Sequence, residues 1–348
     1  MDRSFLNTLG QLARKIGLAP RGNQYSDRLA QELSIYRSVT DVHNLPPVFH
    51  YWSNRYLLPI FQEVGLQSVR HFFAKFAQDV CEGHPKAVHR FISIGSGNCD
   101  TEVELATTLR TRGVDNFVIE CLDVNAAMLE RGEALASQSS VAERIQVVHG
   151  DINAWKPAHQ YHIVLANQSL HHFVELEVLF DKVYECLSPE GFFLADELVG
   201  RNGHMRWPEA LTVLNELWSE LPEKYKYNHQ LKRLEIDFEN WDCSQEGFEG
   251  IRAQDILPLL VKRFHFELFL GYANLIDIFV DRSFGHNFDV ENPSDLEVID
   301  RVQQVDSTSI ERGIIKPTHM TAAMVKSPIA KTKIYRHLTP EFCLRRDS

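Results

Sequence analysis

An α/β fold, with a mostly parallel sheet and helices on both faces, is what the sequence predicts, and three observations carry that expectation. From Ala87 onward, short β-type apolar runs alternate with stretches of helical periodicity, the pattern of parallel strands joined by crossover helices. The run at 91–94 opens into Gly95-Ser96-Gly97 and then into a helix start at Asp100-Thr101. Glycines in such a turn let the backbone approach a ligand closely. Two later runs lead to acids, Asp123 and Asp151, at the carboxyl edge where open α/β sheets bind their ligands.

In chain order, residues 1–35 read as helix because Phe5, Leu6, Leu9, Leu12, Ala13 and Ile16 recur at helical spacing. Arg3, Arg14, Lys15 and Arg21 make this stretch mildly basic, so it reads as a membrane-surface contact or an ordinary packing helix. Residues 45–59 are dense in aromatics. They form a lid in which Tyr51, Trp52 and Arg55 face an acceptor, or a helical subdomain that Trp52 and Tyr56 plug onto the core. Residues 64–80 continue as helix. The strands are then expected at 91–94, 117–123, 145–152, 161–167, 192–196, 264–271 and 319–325. Helices are expected at 101–112, 126–135, 176–187, 208–221 and 255–261, the first opened by a capping box from Thr101 to Glu104. A long connection covers 272–316. The domain boundaries that follow are a helical cap at 1–85, a sheet domain at 86–327 with an insertion at about 201–255, and a basic tail at 328–348.

Composition narrows the function classes. The 348 residues are 44% hydrophobic and 24% charged, enough for a sizeable core, with a net charge of −11. That balance gives no basic surface for a polyphosphate partner, so no nucleic acid is expected. The six cysteines are scattered without a C-x-x-C pair, which fits a reducing cytoplasm, and no metal ligand set is assigned. No apolar run approaches the roughly 18 residues needed to span a bilayer.

The glycine turn carries the chemistry. A dinucleotide fingerprint needs a third glycine beside the pyrophosphate, and this chain has Asp100 there. A carboxylate repels pyrophosphate but accepts a ligand bearing an ammonium and a sulfonium, as S-adenosylmethionine does. Asp123, at the end of the second strand, is placed to accept from ribose hydroxyls.

These elements together resemble the class I S-adenosylmethionine-dependent methyltransferases. The resemblance lies in Ile94-Gly-Ser-Gly97 with Asp100, Leu122-Asp-Val-Asn125 with Met128-Leu129, Gly150-Asp-Ile152, Asn167-Gln-Ser-Leu-His-His172 and Leu187-Ser-Pro-Glu-Gly191. It implies a Rossmann-like sheet of seven strands, with 319–325 antiparallel and a helical insertion after the fifth strand that caps the acceptor. It also implies a cofactor shell of Gly95, Ser96, Gly97, Asp100, Asp123, Val124, Asp151, Ile152, Asn167 and Gln168. Asp151 would accept from the adenine amino group, and Ile152 would pack on the ring. The Ser-Leu-His-His form is similar to methyltransferases acting on small molecules, so an aromatic, natural-product or lipid-like acceptor is expected.

Methyl transfer is an in-line displacement for which the protein supplies positioning and, where needed, proton removal. His171 or His172 is the candidate base, with Glu197 and His204 behind them. Tyr51, Trp52, Arg55, His204 and Trp207 are the candidate acceptor contacts. A carboxylic acid acceptor would need no base, and Arg55 or Arg206 would orient it. An RNA or protein methyltransferase, a non-catalytic cofactor-binding domain and a dehydrogenase are the competing readings.

Overall fold

The computed structural model describes residues 21–36, 45–245 and 247–345. The expected helical stretch over 1–20, with Arg3, Arg14 and Lys15, therefore lies outside the described residues, as does Arg346 of the tail.

Seven strands follow the expected order: β1 (His89–Ile94), β2 (Phe117–Asp123), β3 (Ile145–His149), β4 (Tyr161–Asn167), β5 (Leu187–Leu198), β6 (His265–Tyr272) and β7 (His319–Val325). An eighth, β8 (Lys333–Ile334), corrects the expected count. The spatial order is β8-β6-β7-β5-β4-β1-β2-β3, and every pairing is parallel except those made by β7. β8 was hidden because two residues in a basic stretch give no alternation to read. It pairs Lys333 and Ile334 with Leu268 and Phe269. Leu338 and Cys343 are buried beyond it, so the segment after 328 packs onto the sheet edge.

β1, β4 and the 192–196 part of β5 are largely buried, as expected of parallel strands covered by helices. Phe91, Ile92 and Ile94 pair with Ile119, Glu120 and Leu122 on one side. β5 begins earlier than expected. Its register with β4 jumps from Tyr161–Leu187 to Ile163–Phe192, so Ser188-Pro-Glu-Gly191 bulges out opposite His162 alone. A Cβ on Gly191 would lie 2.9 Å from the His162 carbonyl, which explains the glycine.

The connection at 272–316 contains two helices, Leu275–Val280 and Pro293–Glu311. The second is opened by Asn292, whose side chain accepts from Ser294 N, with Pro293 at the first helical position. Its buried stripe runs Asp295, Ile299, Val302, Asp306 and Ile310. Two acids in that stripe broke the apolar periodicity on which the expectation relied. Asp306 is stabilised there by accepting from Asn274 N and Leu275 N at 3.0 and 2.5 Å.

Residues 47–63 form a helix interrupted by a π-turn at Ser53–Leu57, where Pro59 removes a backbone donor. The helix at Asp100–Thr111 starts at Cys99, a left-handed residue at φ 58° that makes no side-chain cap. The expected Thr101–Glu104 box is absent because the Thr101 hydroxyl instead accepts from Asn167 Nδ2 at 2.9 Å. No helix among the described residues is long and apolar enough to cross a membrane.

Beneath the glycine turn, Glu102 is buried and its Oε1 accepts from Ser93 Oγ at 2.5 Å, while Oε2 has no partner. Burial outweighs that bond and pushes its carboxyl up from 4.5 to about 7. The folded chain therefore holds a proton that the unfolded chain releases between those values. The contribution of Glu102 to stability is fully present below about pH 4.5 and is lost as pH rises through about 7, by up to roughly 3 kcal/mol. Unfolding free energies from urea titration at about pH 5 and about pH 8 should differ by about 1–3 kcal/mol less in Glu102→Gln than in the unmodified chain. An unchanged pH dependence in the variant contradicts the assignment.

Candidate functional site

Parallel pairing brings the carboxyl ends of β1 to β5 to one edge, and the candidate residues gather there in two neighbouring groups.

The first group is the glycine turn. Gly95 has φ 73° and Gly97 φ 54°. A Cβ on Gly95 would fall 2.7 Å from Ser169 Cβ, so the turn after β1 presses against the turn after β4. Asp123 closes the loop: Oδ2 accepts from Gly97 N and Oδ1 from Asn125 N, both at 2.8 Å. Burial raises the Asp123 carboxyl against the lowering effect of these bonds. Each oxygen keeps a lone pair for a hydroxyl. Ser96 and Val124 lie in the two turns joined by this carboxylate, and Asp100 begins the helix beyond.

Asp151 and Ile152 follow β3. Asp151 Oδ2 accepts from the Tyr25 hydroxyl and Oδ1 from Asn153 N, both at 2.8 Å. Tyr25 thus holds the carboxylate that the sequence reading gives to an adenine amino group. Gln168 donates from Nε2 to Asp196 Oδ2 at 2.9 Å, with Tyr272 and Thr321 donating to the other oxygen.

The second group is a knot of histidines and acids. Glu197 is fully buried, with Oε2 accepting from Ser169 N and Leu170 N at 2.9 and 2.6 Å. Its Oε1 accepts from Leu198 N at 2.7 Å and meets His171 Nδ1. Four partners and no exposure leave the Glu197 carboxylate, a candidate acid/base group, engaged within the fold. Glu249, from the loop between Gly247 and Gly250, meets His204 Nε2 at 2.6 Å and His171 Nε2 at 3.4 Å on one oxygen. Its other oxygen lies 3.6 Å from His172 Nε2 and accepts from the Tyr36 hydroxyl at 3.2 Å.

The electrostatics follow from this packing. Burial disfavours a charged His171, but Glu197 and Glu249 outweigh it and lift the imidazole to about 10. The two carboxylates thus favour the protonated form of His171 in this arrangement. Burial holds His204 below its ordinary value. Burial would raise Glu249, yet the bonds from His171 and His204 hold it far below the carboxylate range. His172 Nδ1 lies 2.7 Å from Glu32 Oε1, a charge contact without hydrogen-bond alignment.

One helix, Arg21–Tyr36, spans both groups. Tyr25, Arg28, Glu32 and Tyr36 recur at helical spacing on one face, about 17 Å end to end. Arg28 donates to the carbonyls of Ser244 and Gly247, each at 2.7 Å, and Glu32 Oε2 accepts from Phe248 N at 3.1 Å. Beside it lies a cavity of about 210 Å³ lined by Glu32, Ile35, Tyr36, Trp241, Cys243 and Glu249. Tyr25, Glu32, Tyr36 and Glu249 were not singled out from sequence. The signal available for Glu249 was an acid between two glycines, and both take positive φ here.

The other candidates lie elsewhere. Tyr51 donates to Asp300, Trp52 to Gln303, and Arg55 pairs with Asp300 at 3.4 Å, so their polar atoms hold helix Pro293–Glu311. These contacts fit the packing alternative for this segment. Trp207 lies under the Arg345 guanidinium at 5.7 Å. Arg206 is held by Asp277 at 2.9 Å. Of the acceptor contacts expected, only His204 joins the knot.

Comparison with known proteins bears on this edge of the sheet. Residues 92–191 match a family described as a methyltransferase domain. Among solved structures, the chain is similar to an O-methyltransferase of a Brevibacillus brevis trans-AT polyketide synthase in complex with S-adenosyl-L-homocysteine. Identity is 14%, covering 87% of this chain and 88% of that one at a TM-score of 0.45. It is also similar to a geranyl diphosphate C-methyltransferase of Streptomyces coelicolor, at 12% identity over 73% and 77% of the two chains and a TM-score of 0.38. No curated protein sequence matches the chain.

The contact between the two turns is directly testable. Gly95→Ala adds a Cβ into Ser169 at a left-handed position and should cost about 2–4 kcal/mol by denaturant unfolding. Gly83→Ala, with open space around it, should change stability by less than about 1 kcal/mol. Equal effects contradict the close approach.

Proposed function

We propose, from the premise that residues 92–191 form a methyltransferase domain of the class I, S-adenosylmethionine-dependent kind, that the chain methylates a small acceptor bearing a hydroxyl or amine on an apolar body. The observation that carries the reading is the Asp123 carboxylate, bonded to both turns around the glycine loop on the same sheet edge as the histidine–acid knot.

In this reading Gly95, Ser96 and Gly97 receive the methionine part, Asp123 with Val124 the ribose, and Asp151 with Ile152 the adenine. Asn167 and Gln168 border the methyl group. Asp100 faces the positive end of the cofactor. The sulfonium is already an activated leaving group: the acceptor's lone pair attacks the methyl carbon, the C–S bond breaks, and sulfur keeps the electron pair as a neutral thioether. The protein's contribution is alignment and control of the acceptor's proton.

The acceptor enters through the cavity beside Ile35, Tyr36 and Trp241, where Glu249 is the member of the knot that it meets. Glu32 and Glu249 make this wall acidic. That favours neutral or cationic acceptors and disfavours carboxylates, phosphates and RNA. The exposed Ile35 and Trp241 in the cavity lining suit an aromatic or lipid-like body. His171, oriented by Glu197, and His172, paired with Glu32, hold Glu249 in place. The helical segments before 86 and the insertion at about 201–255 then act as cap, with 86–327 as the cofactor domain. Six unpaired cysteines support a cytoplasmic setting.

Calorimetric titration tests this reading. S-adenosylmethionine and S-adenosylhomocysteine should each bind one equivalent, and Asp123→Ala should weaken both at least about tenfold, the loss of roughly 1.4 kcal/mol of contact. Absence of binding to the unmodified chain sinks the cofactor site, and equal binding by the variant removes Asp123 from it.

A further inference from the structure

We propose that His171, His204 and Glu249 form a binding site for a divalent first-row transition ion, represented by zinc. Its binding stands on geometry alone, and only its use in the reaction rests on the methyl-transfer reading above.

Three donors converge. His171 Nε2 and His204 Nε2 both point at Glu249 Oε1, at 3.4 and 2.6 Å, and all three donors lie within 4.8 Å of one another. Donors around a tetrahedral ion at about 2.1 Å sit about 3.4 Å apart. The His171 contact already has that spacing, and the His204 contact needs to open by less than about 1 Å. Two imidazoles aimed at a single carboxylate oxygen leave that oxygen crowded. One ion between them would serve all three.

The three ligands come from separate turns that are tied together. Ile251 N donates to the His171 carbonyl at 3.0 Å, and Gly203 N donates to the Gly250 carbonyl at 2.8 Å. These bonds lock the Glu249 loop against the turns carrying both histidines, so the donor set is preorganised by backbone and not by side-chain chance. Glycines at 203, 247 and 250, all at positive φ, permit this packing.

The arrangement around the donors is that of a metal centre. His171 turns Nδ1 to the buried Glu197 carboxylate, which fixes the ring and leaves Nε2 facing Glu249. Carboxylate–histidine–metal relays orient ligands in this way. Two imidazoles and one carboxylate select zinc, iron, manganese, cobalt or nickel over magnesium and calcium, which prefer all-oxygen shells. The groups facing the knot from neighbouring elements are His172, Glu32 and Tyr36. His172 Nε2, 3.6 Å from the second Glu249 oxygen, is the nearest of these nitrogens to the site. Cysteine spacing gave no hint of this site, because no cysteine is among its donors.

Glu249 also lines the cavity of about 210 Å³, so a fourth coordination position opens toward the acceptor. On binding, His171 gives its Nε2 proton to water, and neutral His204 shifts its proton from Nε2 to Nδ1, as the ion takes the place of both protons. An acceptor hydroxyl coordinated there becomes more acidic. Its proton leaves to water, its oxygen takes the methyl group, and the departing sulfur keeps the C–S pair.

The test uses the full chain, stripped with a chelator and titrated with zinc by competition against a chromophoric chelator. One equivalent should bind with a Kd at or below about 1 μM, and cobalt loading should give visible d–d absorption. His204→Ala and Glu249→Gln should each weaken zinc at least about tenfold, and Glu197→Gln about 10–100-fold. His286→Ala, outside the knot, should bind as the unmodified chain does. Less than one equivalent bound by the unmodified chain overturns the proposal, as does unchanged zinc affinity in folded His204→Ala and Glu249→Gln. Zinc binding without S-adenosylmethionine binding leaves the ion site standing and removes only its use in methyl transfer. S-adenosylmethionine binding without zinc overturns the ion site alone.

Discussion

The buried Glu197 carboxylate is the constraint on which the catalytic edge depends. A carboxylate without exposure is costly unless its charge is met, and here three backbone N–H groups and an imidazole meet it. Those bonds set the turn after β4. That turn in turn places Ser169 against Gly95 and aims His171 at Glu249. The cofactor loop and the histidine knot are therefore positioned by one side chain at the end of β5. A neutral isostere at 197 would leave both groups without their common reference.

Much of this architecture was legible in the chain. The strands announce themselves because a parallel sheet buried on both faces needs continuous apolar runs. Gly95 and Gly97 announce the loop because only glycine tolerates its conformation beside Ser169. Asp123 stood out in the sequence as an acid ending a strand, and in the fold it ties the two turns together.

What stayed hidden has physical causes too. Glu249 lies 52 residues beyond Glu197 in a loop without periodicity, and only tertiary bonds to His171 and Gly203 bring it to the knot. Tyr25, Glu32 and Tyr36 sit on a helix whose apolar pattern says nothing about what its polar face will meet. The polar atoms of Tyr51, Trp52 and Arg55 meet Asp300 and Gln303, on a helix masked by its own buried acids. In each case, sequence showed which residues were chemically able, and packing decided which of them met.

The central claim is that one sheet edge receives S-adenosylmethionine between the glycine loop and Asp151, under helix Arg21–Tyr36. Hydrogen–deuterium exchange with and without S-adenosylhomocysteine tests it most directly. The account predicts slowed exchange in the peptides covering 95–99, 123–125 and 151–153, and in helix Arg21–Tyr36 above them. Protection confined to other parts of the chain, with those peptides unchanged at saturating ligand, would contradict it.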